Sequence, residues 1–103
     1  MKKNRADIPK IEPDQFRRCV REVIPAAAID FSVVNPDYHS WCLRVREGRL
    51  DVEFVWGPQS GFGGRDIARP ATGNDTPFDY ADELFWSQDE ALHYLKTKRA
   101  FYS

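Results

Sequence analysis

The sequence predicts an α+β fold: a two-layer sandwich in which an antiparallel meander of three to four strands is covered on one face by an N-terminal and a C-terminal helix. Three observations predict it: a helical apolar stripe near the amino end, alternating runs in the middle, and a capped helix near the carboxyl end. The expected order is helix, three strands, a long loop with an optional fourth strand, and helix. At 103 residues the chain has the size of one domain.

The first helix is predicted over residues 13–24. Pro13 suits the first helical turn, where the N–H that it lacks has no intrahelical partner, and Pro25 ends the helix. Apolar side chains recur at helical spacing and form one stripe that faces a core: Phe16, Cys19, Val20, Val23 and Ile24. The opposite side is predicted to be solvated and carries Arg17, Arg18 and Arg21.

The middle of the chain predicts three strands. Residues 28–34 alternate between apolar and polar, and two further alternating runs over 38–56 flank Glu47 and Gly48, which predicts a β-hairpin. Gly48 is expected at the second central position of a type I′ turn. The pairs would then be Val45–Leu50, Leu43–Val52, Trp41–Phe54 and His39–Trp56. A one-residue slip would oppose apolar and charged side chains, so the pattern selects this register or one shifted by an even number.

The last helix is predicted over residues 87–99. Ser87 and Glu90 have the spacing of a capping box, acidic residues occupy the first turn and basic residues the last, as the helix dipole favours. The preceding residues 83–86 are expected to form a short edge strand or an apolar plug. Phe85 and Trp86 are predicted to be buried in both cases.

Composition argues against several classes of function. The formal charge of −1 provides no overall attraction to nucleic acid or to anionic membranes. Cys19 and Cys42 lack the spacing of a metal or redox motif, so no metal and no cofactor is expected, and no apolar run is long enough to span a membrane. We expect a cytoplasmic protein with a basic tail over residues 1–10 and a single domain over 11–103.

A glycine-rich stretch, residues 57–77, follows the hairpin and is predicted to be a long loop. The cluster at 61–64 follows a strand, as a phosphate-binding loop does. However, the sequence contains neither GxxxxGK(S/T) nor GxGxxG, and no helical pattern follows the cluster. The glycines therefore indicate a sharp exit from the sheet, with Phe62 anchoring the loop to the core.

The leading functional hypothesis is a small non-enzymatic protein-binding module that contacts its partner through the glycine-rich loop and the acidic stretch over residues 75–90. Between Arg69 and Lys96 every charged side chain is acidic, and loops on rigid scaffolds often bind partners. An inhibitor or immunity-type protein that masks a basic site of its partner would have such a surface, because complementary charge speeds encounter. The predicted partner-binding residues are Phe62, Arg65, Asp66, Arg69, Asp75, Asp79, Asp82 and Glu83.

Three alternatives stay open from the sequence. One is a ligand-binding or enzymatic site built from Arg65, Asp66 and either histidine, although His39 is more simply a packed residue against Trp56. Another is weak nucleic-acid binding by the basic tail and the first helix, which the scattered charges disfavour. The third is a homodimer formed through an exposed edge strand. No catalytic residue is assigned, and the sequence favours a binding protein over an enzyme.

Overall fold

The predicted α+β class is confirmed by a computed structural model, which describes residues 8–35, 37, 39–58, 61–67 and 83–102. The elements, in chain order, are α1 (Pro13–Val23), β1 (Ala28–Asn35), β2 (Ser40–Glu47), β3 (Leu50–Gly57), β4 (Gly61–Asp66), β5 (Glu83–Phe85) and α2 (Gln88–Tyr102). The described strands number five, one more than the upper expectation. None of the described helices combines the length and the apolar character that crossing a membrane requires.

The five strands form one antiparallel sheet in sequence order, β1-β2-β3-β4-β5. Both helices pack on the same face, which we call the helix face; the other is the open face. A cluster of aromatic rings fills the space between the helices and the sheet. Phe16 of α1 stacks edge-on against Phe54 of β3 and Phe62 of β4, with ring centroids 5.0 and 5.4 Å apart. Burial of such rings is the main stabilising term in a domain of this size.

The glycine-rich stretch contains a strand where a loop was expected. Gly61–Asp66 is β4, and it pairs with β3 on one side and with β5 on the other. The glycines make room for aromatic rings, since a Cβ built on Gly64 would lie 3.0 Å from Cε2 of Phe85 and 3.3 Å from Cε2 of Tyr94. Glycine inside a strand often marks such a close approach. Reading Gly61–Gly64 as an exit from the sheet was therefore wrong.

The hairpin has the predicted alternation with a register shifted by two residues. Glu47 pairs with Leu50 and Trp41 with Trp56, so the turn residues are Gly48 and Arg49. Gly48 has φ +59° at the first central position, not the second. The shift keeps every side chain on its predicted face, as an even shift must.

His39 does not pack against Trp56, as had been predicted. It lies in the turn before β2, is exposed, and adopts a positive φ of 57°. The Trp56 indole N–H instead donates to the backbone carbonyl of Pro9 at 2.8 Å. Pro9 belongs to the segment predicted as a tail, so at least this part of it is attached to the sheet.

The start of α2 follows the capping signal in the sequence, whereas the helix continues to Tyr102, three residues beyond its predicted end. Ser87 Oγ accepts the N–H of Glu90 at 3.2 Å, whereas the Glu90 carboxylate accepts from the N–H of Trp86, one residue earlier than in a standard capping box. Phe85 is buried as predicted, but Trp86 is not. Cys19 and Cys42 are both free thiols.

Candidate functional site

The predicted site residues separate into four groups in the structure. Phe62 is a core residue, so it cannot contact a partner. Glu83 is exposed on β5. Arg65 and Asp66 follow each other on β4 and point to opposite faces of the sheet, because successive strand residues alternate. The remaining four lie outside the described residues: Arg69, Asp75, Asp79 and Asp82.

Arg65 belongs to a set of ion pairs on the open face. Its Nε donates to Glu53 Oε1 at 3.1 Å. The other two pairs cross neighbouring strands, at 2.7 Å in each case: Arg46 with Asp30, and Arg44 with Asp51. The open face is thus charged but locally neutral, which suits solvent better than a charged ligand.

Arg44 forms the best-aligned of these pairs. Its Nε and Nη2 donate to the two carboxylate oxygens of Asp51 at 2.9 and 2.7 Å. This hydrogen bonding raises the pKa of the Arg44 guanidinium above its usual value. A bidentate arginine–carboxylate pair of this kind orders the side chains without leaving a charge for a partner.

Asp66 lies on the helix face and is 2% exposed. Its Oδ2 accepts a hydrogen bond from the Tyr102 hydroxyl at 2.6 Å, and Lys98 Nζ lies 3.3 Å from the same oxygen. A cavity of about 360 Å³ adjoins this cluster and is lined by Asp66, Thr97, Lys98 and Phe101. The hydrogen bond and the ion pair join the end of β4 to the end of α2. The carboxylate is largely occupied by these partners, which favours a structural role.

Neither histidine shares a site with both Arg65 and Asp66. Asp66 lies in the same cross-strand row as Val52 and Val45, and His39 comes six positions before Val45, about 20 Å away at strand spacing. His93 is exposed on α2, five residues before Lys98 and about 140° around the helix from it. The alternative site, which required these side chains to converge, is not assembled.

A second cavity, of about 440 Å³, lies between the hairpin tip and the last turns of α2. Three of its lining residues are basic: Arg49, Lys96 and Arg99. Arg99 donates to Glu47 Oε1 at 3.0 Å, so a single carboxylate faces three cations. We call this the basic pocket. Sequence reasoning missed it because its residues are distant in the chain and meet only when Gly48 and Arg49 form the turn.

The opposite end of α2 carries acidic residues around an exposed tryptophan. Trp86 is 38% exposed. Glu83, Asp89 and Glu90 are also exposed, and all four lie within eight residues of chain around the start of the helix. We call these four residues the acidic surface. They are the described end of the acidic run noted in the sequence.

Comparison with family models, with curated proteins and with solved structures finds no significant match to this chain. Within the described residues, no group of three or more His, Cys, Asp or Glu side chains has the geometry to hold a metal ion.

Proposed function

We propose that the protein is a small protein-binding module that recognises a basic partner through its acidic surface. The observation that carries the proposal is the exposure of Trp86 among exposed carboxylates. Tryptophan is enriched at binding hot spots, since it offers a large apolar area with an N–H at its edge. The carboxylates around it would select a basic partner and speed its encounter.

In the sequence, the acidic run continues on the N-terminal side of Glu83, outside the described residues. Asp75, Asp79 and Asp82 precede Glu83 in the chain, without an intervening Lys or Arg. A partner with a basic cleft would meet the exposed carboxylates of Glu83, Asp89 and Glu90 at once. A protein of this type acts as an inhibitor or immunity-type protein when the cleft that it covers is the active site of its partner.

The test compares capture of native proteins by three immobilised forms of the chain. These are the wild type, a double variant Glu83→Gln/Asp89→Asn, and the control Glu22→Gln, which neutralises an exposed carboxylate on α1. Glu90 is left intact because it caps α2. The proposal predicts a stoichiometric basic protein on the wild type and the control, and at least a roughly tenfold weaker affinity for the double variant.

Adding salt sharpens this test. Binding should weaken as salt rises, because screening reduces the attraction between exposed charges. Equal capture by the wild type and the double variant would contradict the proposal, as would the recovery of no stoichiometric partner by any form.

A second candidate function is the binding of a small anion in the basic pocket. The supporting observation is the excess of three cations over one carboxylate around a cavity of about 440 Å³, a ligand-sized volume. Titration calorimetry with inorganic phosphate and pyrophosphate tests it. We expect Arg49→Gln/Lys96→Gln to abolish the binding and Arg18→Gln on α1 to preserve it; no heat with either anion would exclude this function for them.

A further inference from the structure

The outer edge of β1 is the most exposed apolar part of the described sheet. Within the described residues β1 has one neighbour, β2. Along residues 28–34 every side chain except that of Ile29 is exposed. Phe31, Val33 and Val34 are 38%, 54% and 63% exposed. The alternation over residues 28–34 is typical of a strand with one buried face, but Phe31 and Val33 on that face are exposed because the helices do not cover them.

This edge lacks the usual protection against pairing with another strand. Natural edge strands are shortened or carry Lys, Pro or an unpaired charge. Residues 28–34 contain neither Lys nor Pro. Their one charged residue, Asp30, is neutralised by Arg46 at 2.7 Å. A bulge follows Val33, so regular pairing with β2 extends over Ala28–Val33 and only the end of the strand is distorted.

We propose that two copies of the chain pair through β1, antiparallel and edge to edge, about a two-fold axis at Phe31. A two-fold axis perpendicular to the sheet keeps the helices of both copies on the same face. Residues that lie opposite each other in the two strands then point to the same face of the sheet. The strand is self-complementary in this register. Phe31 meets its own copy, Ile29 meets Val33, and Asp30 meets Ser32, whose hydroxyl is a donor for the carboxylate.

Neighbouring symmetric registers are chemically worse. Centring the axis on Asp30 would place two carboxylates directly opposite each other, which is destabilising. Centring it on Ser32 would place Asp30 opposite Val34, in the bulge. The register at Phe31 also uses only residues 29–33 for its five central pairs, all within the regular part of the strand.

The surroundings of Phe31 are compatible with a neutral seam. The guanidinium of Arg17 lies 5.9 Å from the centre of the Phe31 ring, and Asp14 pairs with Arg17 at 3.0 Å. The two copies would therefore bring together two rings with no unbalanced charge above them. The described strands of the two copies would form one continuous ten-stranded sheet. An edge seam of this length is at or below the low end of specific interfaces, about 1,200 Å², so we expect a dissociation constant in roughly the micromolar range.

Sedimentation equilibrium over a wide range of protein concentration tests the proposal. The wild type should approach twice the monomer mass, and Phe31→Lys should weaken association by roughly a hundredfold, since two ammonium groups would oppose each other. The control is Phe101→Lys, which charges an exposed phenylalanine on α2 and should leave the dimer unchanged. Circular dichroism confirms that each variant is folded.

A charge swap tests the register itself. Phe31→Glu should also be monomeric alone, but an equimolar mixture of Phe31→Lys and Phe31→Glu should associate, because residue 31 of one copy opposes residue 31 of the other. A monomeric wild type, a Phe31→Lys variant that dimerises like the wild type, or a mixture that stays monomeric would each overturn the proposal. None of these variants alters the acidic surface, so partner capture reports on the proposed function separately.

Discussion

Among the described strands, the two at the edges of the sheet differ in length and in chemistry. β1 spans eight residues, and its exposed side chains are mainly apolar, whereas β5 spans three residues and begins with the exposed carboxylate of Glu83. The last side chain of β5, Phe85, is buried in the core. A long edge whose one charge is paired can add a strand along most of its length; a short acidic edge offers little backbone to pair.

This difference suggests which partner each edge suits. An edge whose pattern is self-complementary suits a second copy of the same chain. A surface of one sign repels its own copy, so the acidic surface suits a different, basic protein. The two proposals thus concern separate ends of the molecule and predict that self-association and partner binding respond to different substitutions.

The largest expected effect is on the free energy of unfolding, which should fall much more when a ring is removed from β5 than when one is removed from β1. Phe85→Ala should lower the free energy of unfolding by about 3–5 kcal/mol, because it leaves a cavity beneath Phe54, Phe62 and Tyr94. Phe31→Ala, at a partly exposed ring on β1, should cost the monomer less than about 1.5 kcal/mol. Urea unfolding at concentrations that keep the chain monomeric measures both. Equal losses would show that the two edges are anchored alike.

The next effect concerns the glycine in β4 that lies beneath the β5 edge. Gly64→Ala should destabilise the fold by about 1–3 kcal/mol, since the new methyl group would lie 3.0 Å from the Phe85 ring. In a Phe85→Ala background the same change should cost much less, because the ring is gone. Thermal unfolding of the four forms measures this coupling. Additive losses would mean that Phe85 is not what excludes a side chain at position 64.

Local signals in the sequence were sufficient for the helices and the hairpin. Pro13, Ser87 and the apolar stripe of α1 each act on residues only a few positions away, so their effect depends little on the rest of the chain. Alternation predicts the face of the sheet to which each strand side chain of the hairpin points. It does not predict the register, because a two-residue shift leaves each of these side chains on the same face.

Features set by distant residues could not be predicted. In the sequence, the glycines of β4 have the composition of a loop. Their place in a strand becomes clear only from the structure, where Phe85 and Tyr94 pack over Gly64. Asp66 was singled out for a site, yet its partners Tyr102 and Lys98 lie more than thirty residues away and occupy its carboxylate. The exposure of β1 depends on how far the helices extend over the sheet. The periodicity of apolar residues in the sequence does not specify that distance.

A moderate effect is expected where β4 is tied to α2. Tyr102→Phe removes the hydroxyl that donates to Asp66 at 2.6 Å, and hydrogen bonds to charged groups contribute about 1.5–3 kcal/mol. The unfolding free energy should fall by about that amount, while dimer formation through β1 should be unaffected. Denaturant unfolding with parallel sedimentation checks both statements; a loss of self-association in this variant would connect regions that we describe as independent.

The smallest effect is expected at the ion pair on the β1 edge. Arg46 and Asp30 are both well exposed, and exposed pairs contribute about 0–1 kcal/mol. Arg46→Gln should therefore change monomer stability little and reduce self-association modestly, by leaving the Asp30 charge unbalanced at the seam. Thermal unfolding and sedimentation are the measurements, and a stability loss above about 2 kcal/mol would contradict this view of the pair.

The most direct test of the contrast between the edges is amide hydrogen exchange as a function of protein concentration. The outward-facing amides of residues 29–33 should exchange more slowly as concentration rises and the β1 edges pair, and Phe31→Lys should abolish this slowing. The amides of residues 83–87 should exchange at the same rate throughout. Exchange in β1 that is independent of concentration, or slowing at β5 instead, would contradict the account.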